Sequence, residues 1–124
     1  MSTYKQGLHT LQEIAAVVNV ARSYRGKVPM AVASGGAREI VQATLHATRL
    51  LNLFDTIVTI EDVGGRGKPA PDLFLESARR LDVPAKECMV FEDSDEGIEA
   101  ARRAGMMATD VRSVYRPAWV ASLE

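Results

Sequence analysis

The sequence predicts an α/β fold, a parallel sheet with helices on both faces. Two observations lead there. Apolar runs of strand length alternate with longer stretches whose apolar residues recur at helical spacing. Their order is helix, then strand–helix repeated, then a final strand, which calls for parallel crossovers.

Residues from about 8 to 23 carry Leu8, Leu11, Ile14, Ala15, Val18 and Ala21 at helical spacing and end near Gly26, so a helix covering one sheet face is expected. Val28 to Ala33 is an apolar strand, with Pro29 tolerable at its start. It runs into Ser34-Gly35-Gly36 and a helix from about Ala37 to Leu51, whose apolar stripe is Ile40, Val41, Thr44, Leu45 and Leu51. Phe54 to Ile60 holds a β-branched run and is the second strand. A loop from Glu61 to Asp72 follows, and Pro71 suits the first turn of the next helix, which buries Phe74, Ala78 and Leu81. Val83-Pro84-Ala85 turns the chain into the strand Cys88 to Phe91.

The stretch from Met89 to Met106 organises the rest. A short apolar strand meets an abrupt acidic turn, Glu92-Asp93-Ser94-Asp95-Glu96, and then a small-residue helix closed by Gly105. Gly97, Ile98, Ala101 and Ala104 form its inner face, and Glu99 and Arg103 pair at i and i+4 outside. Met107 to Val111 is the last strand, with Asp110 near its end a turn former or, alternatively, a site residue. Residues 1–112 are the expected core domain and 113–124 a tail.

At 124 residues the chain is sized for one domain, and its net charge of −1 offers nothing to nucleic acid or an anionic membrane. No apolar run spans a bilayer, and the first residues lack the apolar centre of a secretory signal. Cys88 is the only cysteine, so no internal disulfide can form, and its strand position suggests a buried reduced thiol; with neither span nor signal, a cytoplasmic setting is expected. His9, near the start of its helix, reads as a solvated side chain, and His46, on the outer part of its own helix, as a surface one.

Three signals sit at the carboxyl ends of successive strands, the edge where open α/β sheets bind ligands. Ser34, Gly35 and Gly36 open a helix and form a potential oxyanion cradle. Lys68 stands in a loop stiffened by Pro69 and Pro71. Glu92 and Asp93 crowd carboxylates that call for a compensating cation. Each has a plain alternative: an N-cap serine, a solvated loop lysine, and acids complementing a helix dipole. Lys68 does not belong to a Walker A loop, since Asp62 stands where the first glycine is needed and Pro69 where Ser or Thr is needed. If the three signals converge they make a phosphate site, with oxygen ligands that suit magnesium.

The segments Ala33-Ser34-Gly35-Gly36, Gly67-Lys68-Pro69-Ala70-Pro71-Asp72, and Phe91-Glu92-Asp93-Ser94 through Gly97 to Met106 resemble motifs two, three and four of the haloacid-dehalogenase superfamily. The branch they look most like holds beta-phosphoglucomutase and fructose-1-phosphate phosphatases. The resemblance implies a Rossmann-like core and sugar-phosphate chemistry. It gives Ser34, with Gly35, and Lys68 the phosphoryl group, Lys68 also bridging it to the nucleophile. Glu92 and Asp93 it gives to magnesium.

The family's first motif, Asp-x-Asp-Gly-Thr, whose first Asp is the nucleophile, is not found; no aspartate precedes Asp55. The cap that selects substrate is not found either. The chain by itself is therefore expected to be inactive, turning over a phosphorylated small molecule only with a nucleophile Asp from another segment. The alternative is a non-catalytic phosphate- or magnesium-binding or dimerising remnant. A receiver domain is disfavoured, because its acidic cluster and lysine come in the opposite order. In the family the first-motif strand lies between those of motifs two and four. Without it those neighbours stand roughly 10 Å apart, twice the usual strand spacing, so either they close together or a second chain, a twin protomer or another segment fills the slot.

Overall fold

The computed structural model describes residues 21–114. Their elements run β1 (Ala31–Ala33), α1 (Arg38–Ala47), a 3-10 turn (Leu51–Leu53), β2 (Thr56–Val58), a 3-10 turn (Ile60–Val63), α2 (Asp72–Leu81), a 3-10 turn (Ala85–Glu87), β3 (Met89–Glu92), α3 (Asp95–Ala104), β4 (Met107–Asp110) and α4 (Val111–Val114). Of the expected first helix, residues 21–24 are helical and the rest lies outside the described residues, as do Tyr4, His9 and the tail beyond 114. The short α4 crosses the boundary expected at 112.

Among the described residues all strand pairing is parallel. β1 pairs with β2, Val32 opposite Ile57, and β3 pairs with β4, Val90 opposite Ala108. Among the described residues these are two separate two-stranded sheets. The ladder stops between β1 and β3, where the family resemblance implies a slot. A cleft of about 720 Å³ lies there, lined by Ala31, Ala33, Val90, Phe91, Phe74 and Ala78 among others.

Helices cover both faces of the first pair. Val32 packs with Val41, Leu45, Leu50 and Leu53 on the α1 side. Val58 packs with Val63 and Leu73 on the other, with Ala33 against them. α2 straddles the cleft: Leu73 belongs to the β1–β2 side, whereas Phe74 and Ala78 join Val90, Ala100, Ala101 and Met106 beneath β3 and β4. Ala100 and Ala101 are wholly buried, as small residues must be for α3 to lie close on its sheet.

Several elements are shorter than their sequence patterns. β1 omits Val28 to Met30, because Asp55 clamps Met30 instead: Met30 N–H donates to Asp55 Oδ2 and Asp55 N–H to Met30 O, each at 2.7 Å. α1 stops at Ala47, not Leu51. Thr44 and Thr48 turn their hydroxyls back onto carbonyls four residues earlier, Arg49 adopts a left-handed φ of 61°, and Leu50 N–H returns to Leu45 O. Ile40, expected in the buried stripe, is 56% exposed, and Leu50 takes the inner position. β2 ends at Val58 because Thr59 and Asp62 form a capping box that opens a 3-10 turn. At α3 the expectation holds: Gly105 closes it with a left-handed φ of 77°, a conformation costly for any residue with a Cβ.

Candidate functional site

The loop carrying Lys68 is built by its neighbours. Asp62 accepts from Thr59 N–H at 2.8 Å, from the Arg38 guanidinium, and from Arg80 Nη2 at 3.1 Å, pinning the turn to α1 and α2. Burial opposes its charge, but these donors outweigh that and hold its carboxyl at about 2. Gly64 and Gly65, at left-handed φ values of 62° and 84°, reverse the chain. Arg66 then pairs with Asp72 at 2.6 Å, and Lys68 turns inward.

Lys68 Nζ reaches both sides of the cleft. It donates to Ala33 O of β1 at 3.2 Å and to Glu92 Oε2 of β3 at 2.7 Å. Its ammonium also lies 5.2 Å from the centre of the Phe74 ring, within cation–π range. Glu92 is 7% exposed. Its other oxygen, Oε1, accepts from Asp93 N–H at 3.0 Å and from Ser94 Oγ at 3.2 Å. Every carboxylate oxygen therefore has a donor, as a buried charge requires.

Ser34 is fully buried at the carboxyl end of β1. Its N–H donates to Val58 O at 2.9 Å, and its Oγ accepts Gly36 N–H at 3.1 Å. It does not cap α1: the N-cap is Ala37, which gives no side-chain bond. The Glu61 carboxylate takes that role, accepting Arg38 N–H at 2.9 and 3.0 Å. That hydrogen bond is the chief reason its carboxyl lies below the usual range. The amino end of α1 thus already holds an anion from the protein itself.

The acidic turn sorts into distinct environments. Ser94 caps α3, its Oγ accepting Gly97 N–H at 3.0 Å. Asp93 is half-buried, while Asp95 and Glu96 are exposed. Asp95 pairs with Arg112 Nη2 at 2.7 Å, and Arg112 also holds Asp110. Lys68 and Glu92 are in direct contact, and Lys68 touches the residue preceding Ser34. Asp93 adjoins Glu92 at the carboxyl end of β3. Gly35 is exposed at the other rim and His46 is on the surface; Cys88 is half-buried rather than fully buried. Sequence reasoning missed Ser94, Glu61 and Asp62. Ser94 carried a signal, a serine directly before the helical pattern; the other two depend on folding.

Among the described residues no three His, Cys, Asp or Glu side chains are grouped to hold a metal ion. Glu92 and Asp93 are hard oxygen donors of the kind magnesium takes, one or two carboxylates beside waters and substrate oxygens. Their chemistry fits; their number leaves further ligands to come from elsewhere. Among the described residues no helix is long and apolar enough to cross a membrane.

Comparison with known proteins identifies the family. A profile for haloacid dehalogenase-like hydrolases matches residues 4–105. The chain is 47% identical over 96 residues to fructose-1-phosphate phosphatase YqaB of Escherichia coli, covering 77% of this chain and 50% of that protein. It is 34% identical over 89 residues to the validoxylamine A 7'-phosphate phosphatase of Streptomyces hygroscopicus, covering 72% and 41%. Among solved structures, a HAD phosphatase from Thermococcus onnurineus superposes with a TM-score of 0.71 at 27% identity, covering 82% of this chain and 47% of that one. A haloacid dehalogenase-like protein from Agrobacterium tumefaciens gives 0.69 at 34% identity, covering 75% and 42%. The chain spans half or less of the length of these relatives. With Lys68 of one motif bonded to Ala33 and Glu92 of the other two and a family profile matching most of its length, the chain belongs to the haloacid dehalogenase-like hydrolases.

Proposed function

We propose that this chain is the carboxyl-terminal portion of a magnesium-dependent sugar-phosphate phosphatase or phosphomutase, working with a nucleophile strand seated between β1 and β3. The observation that carries the reading is Lys68 bridging Ala33 and Glu92 across the carboxyl ends of two sheets that do not pair. A parallel strand entering the cleft would find backbone partners on both sides. A carboxylate at its carboxyl end would arrive beside an ammonium. The nucleophile in this reading is an aspartate, and residues 1–54 contain none, so it comes from outside them.

In this reading a carboxylate oxygen of the supplied aspartate attacks phosphorus and the phosphorus–oxygen bond to the sugar breaks. The leaving alkoxide takes a proton from a neighbouring acid, and water then releases phosphate from the acyl phosphate. Lys68 offsets the phosphoryl charge, and Ser34 with Gly35 holds its oxygens. Glu92 and Asp93 would hold magnesium, which when bound neutralises phosphoryl charge. The relatives are named for varied phosphate esters, among them fructose 1-phosphate, validoxylamine A 7'-phosphate and pseudouridine 5'-phosphate, and fructose 1-phosphate, from the 47% identical relative, is the first to try. A cytoplasmic setting suits such substrates.

The test is complementation. The chain is mixed with a peptide carrying an Asp-x-Asp-Gly-Thr strand, and phosphate release from fructose 1-phosphate is followed with and without magnesium. Turnover is expected from the mixture alone, and its loss on Asp→Asn in the peptide. A peptide that binds without restoring turnover, or vigorous turnover by the chain unaided, overturns the reading.

A second reading has one observation in its favour. Tyr24, Val28 and Met89 line the cleft, and each is about half exposed. A twin protomer pairing there would make a non-catalytic dimer, which analytical ultracentrifugation would show as a concentration-dependent doubling of mass.

A further inference from the structure

Gly97 lies in the first turn of α3, three residues beyond its cap. Glycine is disfavoured inside a helix, and α3 runs through this position with ordinary helical geometry. Gly105, by contrast, is required by its left-handed φ. What distinguishes Gly97 is space. A Cβ built there would lie 1.9 Å from Glu92 Cδ, 2.0 Å from Cγ and 2.3 Å from Oε2. These distances are far inside van der Waals contact, so even a methyl group excludes the observed placement of Glu92.

The backbone of the same residue also takes part. Gly97 N–H donates to Ser94 Oγ, and Ser94 Oγ donates to Glu92 Oε1. The missing side chain makes room for the carboxylate, and the amide orients the hydroxyl that holds it. Lys68 then takes the remaining oxygen. We propose that Gly97 is a positioning residue: it seats Glu92 against the first turn of α3 and thereby fixes the Lys68–Glu92 pair at the carboxyl rim of the cleft. Its value to catalysis rests on the function proposed above; its geometry does not.

The experiment uses the full chain without substrate or metal, so it stands whatever becomes of the phosphatase reading. Thermal unfolding is compared for the parent, Gly97→Ala, Glu92→Ala and the double variant. Acetylation of Lys68 by acetic anhydride is timed by mass spectrometry, with exposed Lys27 and Lys86 as references in the same molecule. Gly97→Ala should lower the melting temperature by about 5 °C or more and bring Lys68 towards the labelling rate of Lys27. In the Glu92→Ala background the glycine substitution should cost little, a strong non-additivity between contacting residues. A glycine needed only for helix-to-sheet packing gives additive losses, and that result overturns the proposal. So does a folded Gly97→Ala chain whose Lys68 stays protected. If Gly97→Ala alone does not fold, the Glu92→Ala pair decides: tolerance there supports the seat, and intolerance refutes it.

Discussion

Lys68 Nζ and Glu92 Oε2 meet at 2.7 Å, although 24 residues separate them and they flank different sheets. Their side chains are 15% and 8% exposed, so neither charge can fall back on water. Removing one partner leaves the other buried and uncompensated. Lys68→Met should destabilise the chain by about 3 kcal/mol in urea unfolding. A loss below about 1 kcal/mol would mean that Glu92 is satisfied by Asp93 N–H and Ser94 Oγ alone.

Ser94 has two tasks, capping α3 and donating to Glu92. Ser94→Ala should cost about 1 to 2 kcal/mol, at or above the usual loss of an N-cap. Ser94→Gly restores most of the cap's share but not the hydroxyl donated to Glu92, so it should recover only part of the loss. Full recovery would show the hydroxyl to be unimportant.

Acid sensitivity follows from the carboxylates held at about 2. Arg79 and Arg80 hold Glu76 there, and Arg102 and Arg103 hold Glu99, while Asp62 is held by Thr59 N–H, Arg38 and Arg80 against the effect of burial. Each is depressed in the folded chain, so the stability it contributes is present above the ordinary carboxylate value near 4. That contribution is lost as pH falls towards 2. Asp62→Asn should lower stability at pH 6, and the difference from the parent should shrink steadily between pH 4 and pH 2. A pH-independent difference would assign Asp62 a purely steric role.

Leu73 and Phe74 are sequence neighbours that serve different sheets. Leu73→Ala and Phe74→Ala should each cost about 3 kcal/mol or more. By hydrogen exchange, the first should loosen amides of β1 and β2 more, and the second those of β3 and β4. Identical exchange patterns would show that α2 couples the sheets into one cooperative unit.

The legible parts of this molecule were local. Strand-to-turn junctions at Ser34 and Glu92, the Gly105 terminus and the Glu99–Arg103 pair follow from spacing within a few residues, and the structure keeps them. Element ends were less legible where tertiary partners decide them. Asp55 takes Met30 from a strand, and Arg49 ends α1 four residues before Leu51. Glu61 on the amino end of α1 and Asp62 between Arg38 and Arg80 depend on contacts 18 or more residues away, which periodicity does not encode. The break between β1 and β3 was foreseen only through family resemblance, since nothing in either strand's own pattern announces it. Gly97 read as a residue of a small inner face; that its emptiness serves Glu92 appears only with coordinates.

The interrupted ladder between β1 and β3 has a thermodynamic corollary. If the central strand arrives on a separate segment, mass action governs the completed sheet, and its resistance to heat rises with the logarithm of that segment's concentration once binding saturates. Such a protein would have a family of unfolding curves, one for each dose of the complementing piece, and no single melting point of its own.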